Sequence, residues 1–385
     1  MRIVTIICWG IAAAALVGLA LWFITGTVFG IRSDRLNIGR WGVNWSPSIN
    51  IGNWEVLTGP YEEVGSQTIA ISDINTINVD WISSSVRVEP YGGNEIKITE
   101  FAQRGLNDNE RMFITTSGGV LQIKFCERSV VNRMPQKKLE VLVPQAFSQM
   151  LERLSVDTIS GEIYVDGINA NTLRTESTSG SVHITNSGSH VLLINTISGS
   201  IAVDNMQARN MQVESTSGSI TLTETHADSM KIESISGSHR VSESSAGAID
   251  NQTTSGSISV TGSFDSAKLE SLSGRISLDN SASSAKLKVN STSGSLDMRG
   301  AFYDINAETL SGSISIRSLI VPESCDVSST SGSVTIAVPN TGSISVHHSS
   351  TSGSFSSDIP VTMQGRGAQF NISTLSGSTR IRVID

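Results

Sequence analysis

The sequence is short of most things that build a globular enzyme. Of its 385 residues only 8 are Pro and 3 are Cys, and aromatics make up 5%. Cys8, Cys126 and Cys325 lie far apart, Cys8 in an apolar run and Cys325 where a small hydrophobe belongs, so neither a disulfide scaffold nor a zinc-ligand pair is expected. Few aromatics suit a thin interior that large rings would push apart. Positive charge is in deficit, 27 Lys and Arg against 35 Asp and Glu, and a net charge of -8 repels a phosphate backbone, so no nucleic-acid partner is expected. The six histidines, His183, His190, His226, His239, His347 and His348, form no recurring pair with Cys, Asp or a second His. The Gly-Gly-x-Gly-x-Asp calcium repeat is missing, and so is a Gly-x-Ser-x-Gly elbow between strand and helix. We therefore expect no catalytic residue, no cofactor and no metal site.

What is present is repetition. Ser-Gly, usually followed by Ser, recurs at Gly161, Gly180, Gly199, Gly218, Gly237, Gly256, Gly274, Gly294, Gly312, Gly332, Gly353 and Gly377, most often 19 residues apart. A fixed period over this length marks a solenoid. Around Gly218, Met211, Val213 and Ser215 alternate before the glycine and Ile220 and Leu222 after it. A period of two means strands, and the glycine lies at the corner between them. The residue three before each glycine is always Ser or Thr, placed to hydrogen-bond backbone groups exposed at the corner. A motif of this size cannot bury a core alone, so each must pair with its neighbours.

Two residues before the glycine, aliphatic and Thr alternate: Ile159, Thr178, Ile197, Thr216, Ile235, Thr254, Leu272, Thr292, Leu310 and Thr330, then Thr351 and Leu375 out of turn. One coil is therefore either one motif with mixed ladders or two motifs with an aliphatic ladder and a Thr ladder. The other slots show no alternation, which favours one motif per coil.

The 29 residues from Ile3 to Ile31 carry no charge, enough to span a bilayer, and no Ala-x-Ala cleavage site with a polar flank follows. We assign residues 1–32 to a transmembrane anchor, 33–66 to a juxtamembrane linker, 67–150 to a β cap of degenerate repeats and 151–385 to the regular solenoid. Arg2 on one side and Arg32, Arg35 and Arg40 on the other give no clear orientation by charge, and the Ser/Thr-rich repeats point to the outside. In the cap, Ser83-Ser84-Ser85 between Trp81 and Val86 reads as a degenerate corner, and bulky Trp81 and Phe125 suit an end. Arg128, Arg133, Lys137 and Lys138 read as a solvated basic loop. At the other end, Arg380 and Arg382 on a last strand read as charges that blunt an exposed edge.

Parallel β-helices include polysaccharide lyases, whose sites need clustered carboxylates and a base. Here Glu176, Glu214, Glu233, Glu270 and Glu308 share the slot four before the glycine, interrupted by Asn195, Gln252 and Asn290, and we read a solvated row.

The succession of an apolar run, Leu139-Glu140-Val141-Leu142-Val143-Pro144 and Leu154-Ser155-Val156-Asp157-Thr158-Ile159-Ser160-Gly161-Glu162-Ile163-Tyr164-Val165 resembles a bacterial family of unknown function labelled putative adhesin, over about Thr68 to Asp385. The resemblance implies a membrane-anchored β-solenoid at the cell surface with no assigned catalytic residues; some relatives in envelope-stress operons imply a regulatory role instead. The expected protein is all-β, a single parallel β-solenoid of about twelve motifs behind one transmembrane helix. It is a monomeric, non-enzymatic, single-pass surface protein that takes a polysaccharide or surface protein as ligand. The alternatives are an envelope scaffold that polymerises end to end and a polysaccharide-active enzyme.

Overall fold

The computed structural model describes residues 59–127, 135–149, 151–340, 344–362 and 368–384. The anchor assigned to residues 1–32, most of the linker at 33–66 and the basic residues Arg128 and Arg133 lie outside them. Among the described residues there are 27 strands and one 3-10 turn, Asp108–Glu110. None of these residues forms a helix long and apolar enough to cross a membrane.

The regular part is a parallel β-solenoid with one motif per coil. The strand Val182–Thr196 pairs in parallel with Ile201–Ser215, Val182 opposite Ile201 and Ile194 opposite Val213, a shift of one 19-residue period. The two-motif coil is thereby excluded. Period-two alternation turns Val182, Ile184, Leu192 and Ile194 inward, where all four are fully buried, and the same slots recur down the ladder. Cys325 occupies an inward slot as the spacing predicts, and His239 lies buried on another.

From Gly180 on, each corner glycine lies against the corner glycine of a neighbouring coil. A methyl group on Gly218 would come within 1.9 Å of the Gly199 carbonyl oxygen, so the stack admits no side chain there. The glycine stack runs from Gly161 through about eleven turns, and Ser84, at φ 67, extends it by one corner towards the N-terminal end. A second corner is turned by single left-handed residues, Asn186, Asn205, Glu224 and Glu243.

At both ends, chain order and spatial order part company. The N-terminal strands are β1 (Glu62–Ala70), β2 (Thr76–Trp81), β3 (Ser85–Tyr91), β4 (Glu95–Ala102), β5 (Phe113–Ser117), β6 (Val120–Lys124), β7 (Lys137–Pro144), β8 (Leu151–Thr158) and β9 (Glu162–Asp166). The β2–β3 coil lies between β8–β9 on one side and β6–β7 on the other. Beyond it the ladder turns antiparallel, β4 against β7 and β1, and β5 against β6. Trp81 and Phe125 meet edge to face at 5.0 Å inside this cap.

Lys137 corrects the reading of a solvated basic loop. It opens β7 and is fully buried. Its ammonium reaches Glu100 Oε1 at 2.6 Å, the Glu110 carbonyl at 2.6 Å and the Phe125 carbonyl, with the Phe125 ring 3.8 Å away. Three acceptors for three protons explain how a buried cation is tolerated, although burial still lowers its pKa against the pull of Glu100.

Arg380 and Arg382 are corrected as well. Their strand, Thr379–Val383, is no edge: it pairs with Val334–Val338 on one side and Phe355–Ser357 on the other. Gly377 accordingly stacks on Gly332, and Gly353 on Gly377. In this spatial order the slot two before the glycine ends Leu310, Thr330, Leu375, Thr351. The break in alternation seen along the sequence disappears, and aliphatic alternates with Thr on all twelve rungs.

Candidate binding face

The strand before each corner presents two outward rows. The register places Asp80, Asp157, Glu176, Asn195, Glu214, Glu233, Gln252, Glu270, Asn290 and Glu308 side by side in the slot four before the glycine, so the row read from spacing exists and is two carboxylates longer. Neighbouring coils in a sheet are about 4.8 Å apart, close enough for these side chains to bond along the axis. Asn195 donates to Glu176 at 3.2 Å and Asn290 to Glu270 at 3.0 Å. The slot six before the glycine supplies cations: Lys231 meets Glu233 at 2.9 Å, and Lys268 meets Asp250 at 3.2 Å and Glu270 at 3.5 Å. The amides that interrupt the acidic row relieve like-charge repulsion between adjacent rungs.

The N-terminal end of this face is the most electrostatically perturbed. Arg174 binds Asp157 at 2.8 Å and also Glu176, while Gln122 donates to Asp80 at 2.8 Å. Burial pushes Asp80 up to about 6 against the pull of Lys124 and Arg174. Burial also pushes Asp157 up to about 7, where the neighbouring Glu176 and Asp80 carboxylates add to the shift and Arg174 opposes it. Spacing alone missed Asp80 and Asp157, because they precede the regular motifs or sit at the first of them.

At the other end the face sinks. Ser328, Ser373 and Ser349 occupy the four-before slot on three successive rungs, with Glu308, Asp326, Asn371 and His347 around them. Serine is short where other rungs carry Glu, Gln or Asn, which leaves a depression of about 240 Å³. Asn371 donates to Asp326 at 2.6 Å, and the remaining carboxylate and hydroxyl acceptors face out.

One buried constellation has the outline of a hydrolytic site. His239 Nε2 lies 2.7 Å from Ser234 Oγ, and His239 Nδ1 lies 2.5 Å from Asn251 Oδ1. Catalysis also needs access for a substrate, and all three residues are buried, His239 with 1% and Asn251 with 0% of its surface exposed. They form a polar cluster in the core, the His239 ring held between Ser234 and Asn251. Among the described residues no three His, Cys, Asp or Glu side chains converge as a metal site would require.

Solved structures similar to this chain include a putative adhesin from Bacteroides fragilis, 12% identical, covering 85% of this chain and 100% of its own, with a TM-score of 0.34. A putative adhesin from Parabacteroides merdae is 11% identical over 84% of this chain and 98% of its own, TM-score 0.33. A putative lipid binding protein from Parabacteroides distasonis is 14% identical over 83% and 96%, TM-score 0.25. No curated protein matches. The family model described as Toastrack DUF4097 matches residues 74–263 and again 246–383. Together these two stretches take in nearly all of the cap and solenoid, and the chain belongs to the Toastrack DUF4097 family.

Proposed function

We propose that this is a non-enzymatic adhesin of the bacterial surface, held in the membrane by the apolar run Ile3–Ile31, that binds a hydroxyl-rich polysaccharide along its outward rows. The observation that carries this reading is the depression at Ser328, Ser373 and Ser349: a place where a continuous polar face stops satisfying itself and leaves Glu308 and Asp326 to accept hydrogen bonds from a ligand. Carboxylates and amides repeated at each rung suit a polymer, which can bond several rungs at once and gain avidity. The test is a glycan array probed with the full chain in nanodiscs. Binding that falls at least tenfold in Glu308→Ala/Asp326→Ala supports the reading; equal binding by variant and parent, or none by either, rejects it. Protease shaving of intact cells checks the outward orientation. The second reading, an envelope scaffold that assembles end to end, gains from the placement of Arg380 and Arg382 inside the ladder, because those charges no longer guard its end. Sedimentation of the full chain in detergent as a monomer would exclude it.

A further inference from the structure

The segment Gln369–Val383 fills a slot whose two walls both precede it in the chain. One wall is the Gly332 coil, strands Ser324–Ser331 and Val334–Val338; the other is the Gly353 coil, strands Ile344–Ser352 and Phe355–Ser357. Cys325 and Val346 flank Phe370, and Ser331 and Ser352 flank Ser376, so one strand is paired along both edges. The corner repeats the arrangement: Gly332 N–H donates to the Ser376 carbonyl at 3.1 Å and Gly377 N–H to the Ser352 carbonyl at 3.0 Å. Phe370, Ile372 and Ile381 are buried in the gap.

A coil laid down in order adds to a finished surface. This one must enter a gap, so the walls hold their spacing before it arrives or close up behind it. The slot also carries an address. Thr330 and Thr351 on the two walls leave the aliphatic position between them open, and Leu375 restores the alternation kept by every other rung. The ladder pairings of the slot join the segment to its two walls, so the same segment from another molecule would make the same pairings.

We propose that Gln369–Val383 is an exchangeable strand segment, and that two copies of this chain insert it reciprocally into each other's slots to give a dimer joined through these coils. The exchanged and closed forms share these pairings and differ in which molecule supplies the segment. Their balance then follows protein concentration during folding.

The test uses two full-length variants, Ser331→Cys and Ser376→Cys, each in a chain whose Cys8, Cys126 and Cys325 are changed to Ala so that one cysteine remains, at positions that are Cα partners and exposed. They are unfolded, mixed, refolded together in detergent and oxidised. In the closed form the two cysteines belong to different molecules and never meet. A disulfide between residue 331 of one chain and residue 376 of the other, mapped by peptide mass and rising with protein concentration, is the expected result. The double variant Ser331→Cys/Ser376→Cys, refolded dilute, calibrates closure within one chain. If it closes while the mixed singles yield no 331–376 bond, the proposal is overturned. Should the pair at 331 and 376 not close in the double variant, Ser328 and Ser373, also Cα partners, serve as a second pair under the same criterion.

Discussion

The two halves of the ladder use one phrase, Ser/Thr-x-Ser-Gly, to make two different corners. In the first half the backbone N–H groups before the glycine point back to the preceding coil, as in Ser179 N–H to the Ile159 carbonyl at 2.9 Å and Ser217 to Ile197 at 2.9 Å. The glycine N–H then turns inward to the buried hydroxyl, Gly180 to Ser177 at 2.8 Å and Gly218 to Ser215 at 2.7 Å. From Gly237 onward the glycine N–H points forward to the next coil, as in Gly294 to the Ser311 carbonyl at 3.0 Å. The hydroxyls at Ser291, Thr309 and Ser329 are left buried without a partner. Gly274, Gly294, Gly312 and Gly332 in this half also take φ of 147 to 158. The changeover falls beside the His239–Asn251 pair and just ahead of residues 246–263, where the two family matches overlap. A corner is thus set by which coil receives its glycine N–H, and the motif alone does not decide that.

This contrast can be broken or sharpened by experiment. Gly312→Ala and Gly218→Ala both drive a methyl to about 2 Å from a backbone carbonyl. Each should cost on the order of 4 kcal/mol in denaturant unfolding, Gly312→Ala about 1 kcal/mol more because its φ of 147 disfavours any side chain. Lys137→Ala, which strands the Glu100 carboxylate in the cap of the first half, should cost about 3–5 kcal/mol by the same measurement. Ser215→Ala removes the acceptor of a corner N–H and should cost about 1–3 kcal/mol, whereas Ser329→Ala removes an unpartnered hydroxyl and should fall within about 0.5 kcal/mol of the parent. Equal costs at the two serines would abolish the distinction between the corners.

The halves should also answer acid in opposite senses. Asp80 and Asp157, in the first half, hold protons when folded that the unfolded chain has released above pH 4. Their contribution is therefore greatest at low pH and is lost as pH rises through about 6 and 7. Burial lowers the pKa of His239 at the changeover and of His348 in the second half. Below the unfolded value of 6.5 the unfolded state takes up protons that the folded state refuses, so stability there is lost as pH falls. Hydrogen exchange resolved by segment, compared at pH 5 and pH 7, should show protection moving away from the second half and towards the first on acidification. The smallest effect expected is that of Leu375→Thr, within about 0.5 kcal/mol in thermal unfolding, since Leu375 is 54% exposed.

Much of this architecture was legible from spacing. The inward slots, the buried Ser/Thr at the corner and the outward acidic row follow from a period of two inside a period of 19, and Cys325 stands where that arithmetic puts it. The order of the coils was not legible, because near-identical motifs carry no rank; the one trace was Thr351 and Leu375 out of turn. Lys137 misled because a run of basic residues usually lies in water, and only the fold brings Glu100, Glu110 and Phe125 around it. The two corner types share the same letters and differ only in the direction of a backbone N–H.

The returning coil also has a mechanical consequence. A strand on the rim of a sheet peels off one bond at a time under load, since only one row resists. Force transmitted through Gln369–Val383 meets hydrogen bonds along both edges at once, loaded in parallel, whereas the Gly353 coil outside it is held to the ladder along the edge it shares with that insert. The chain's own end, where a ladder usually unravels, is thereby among its most firmly held segments.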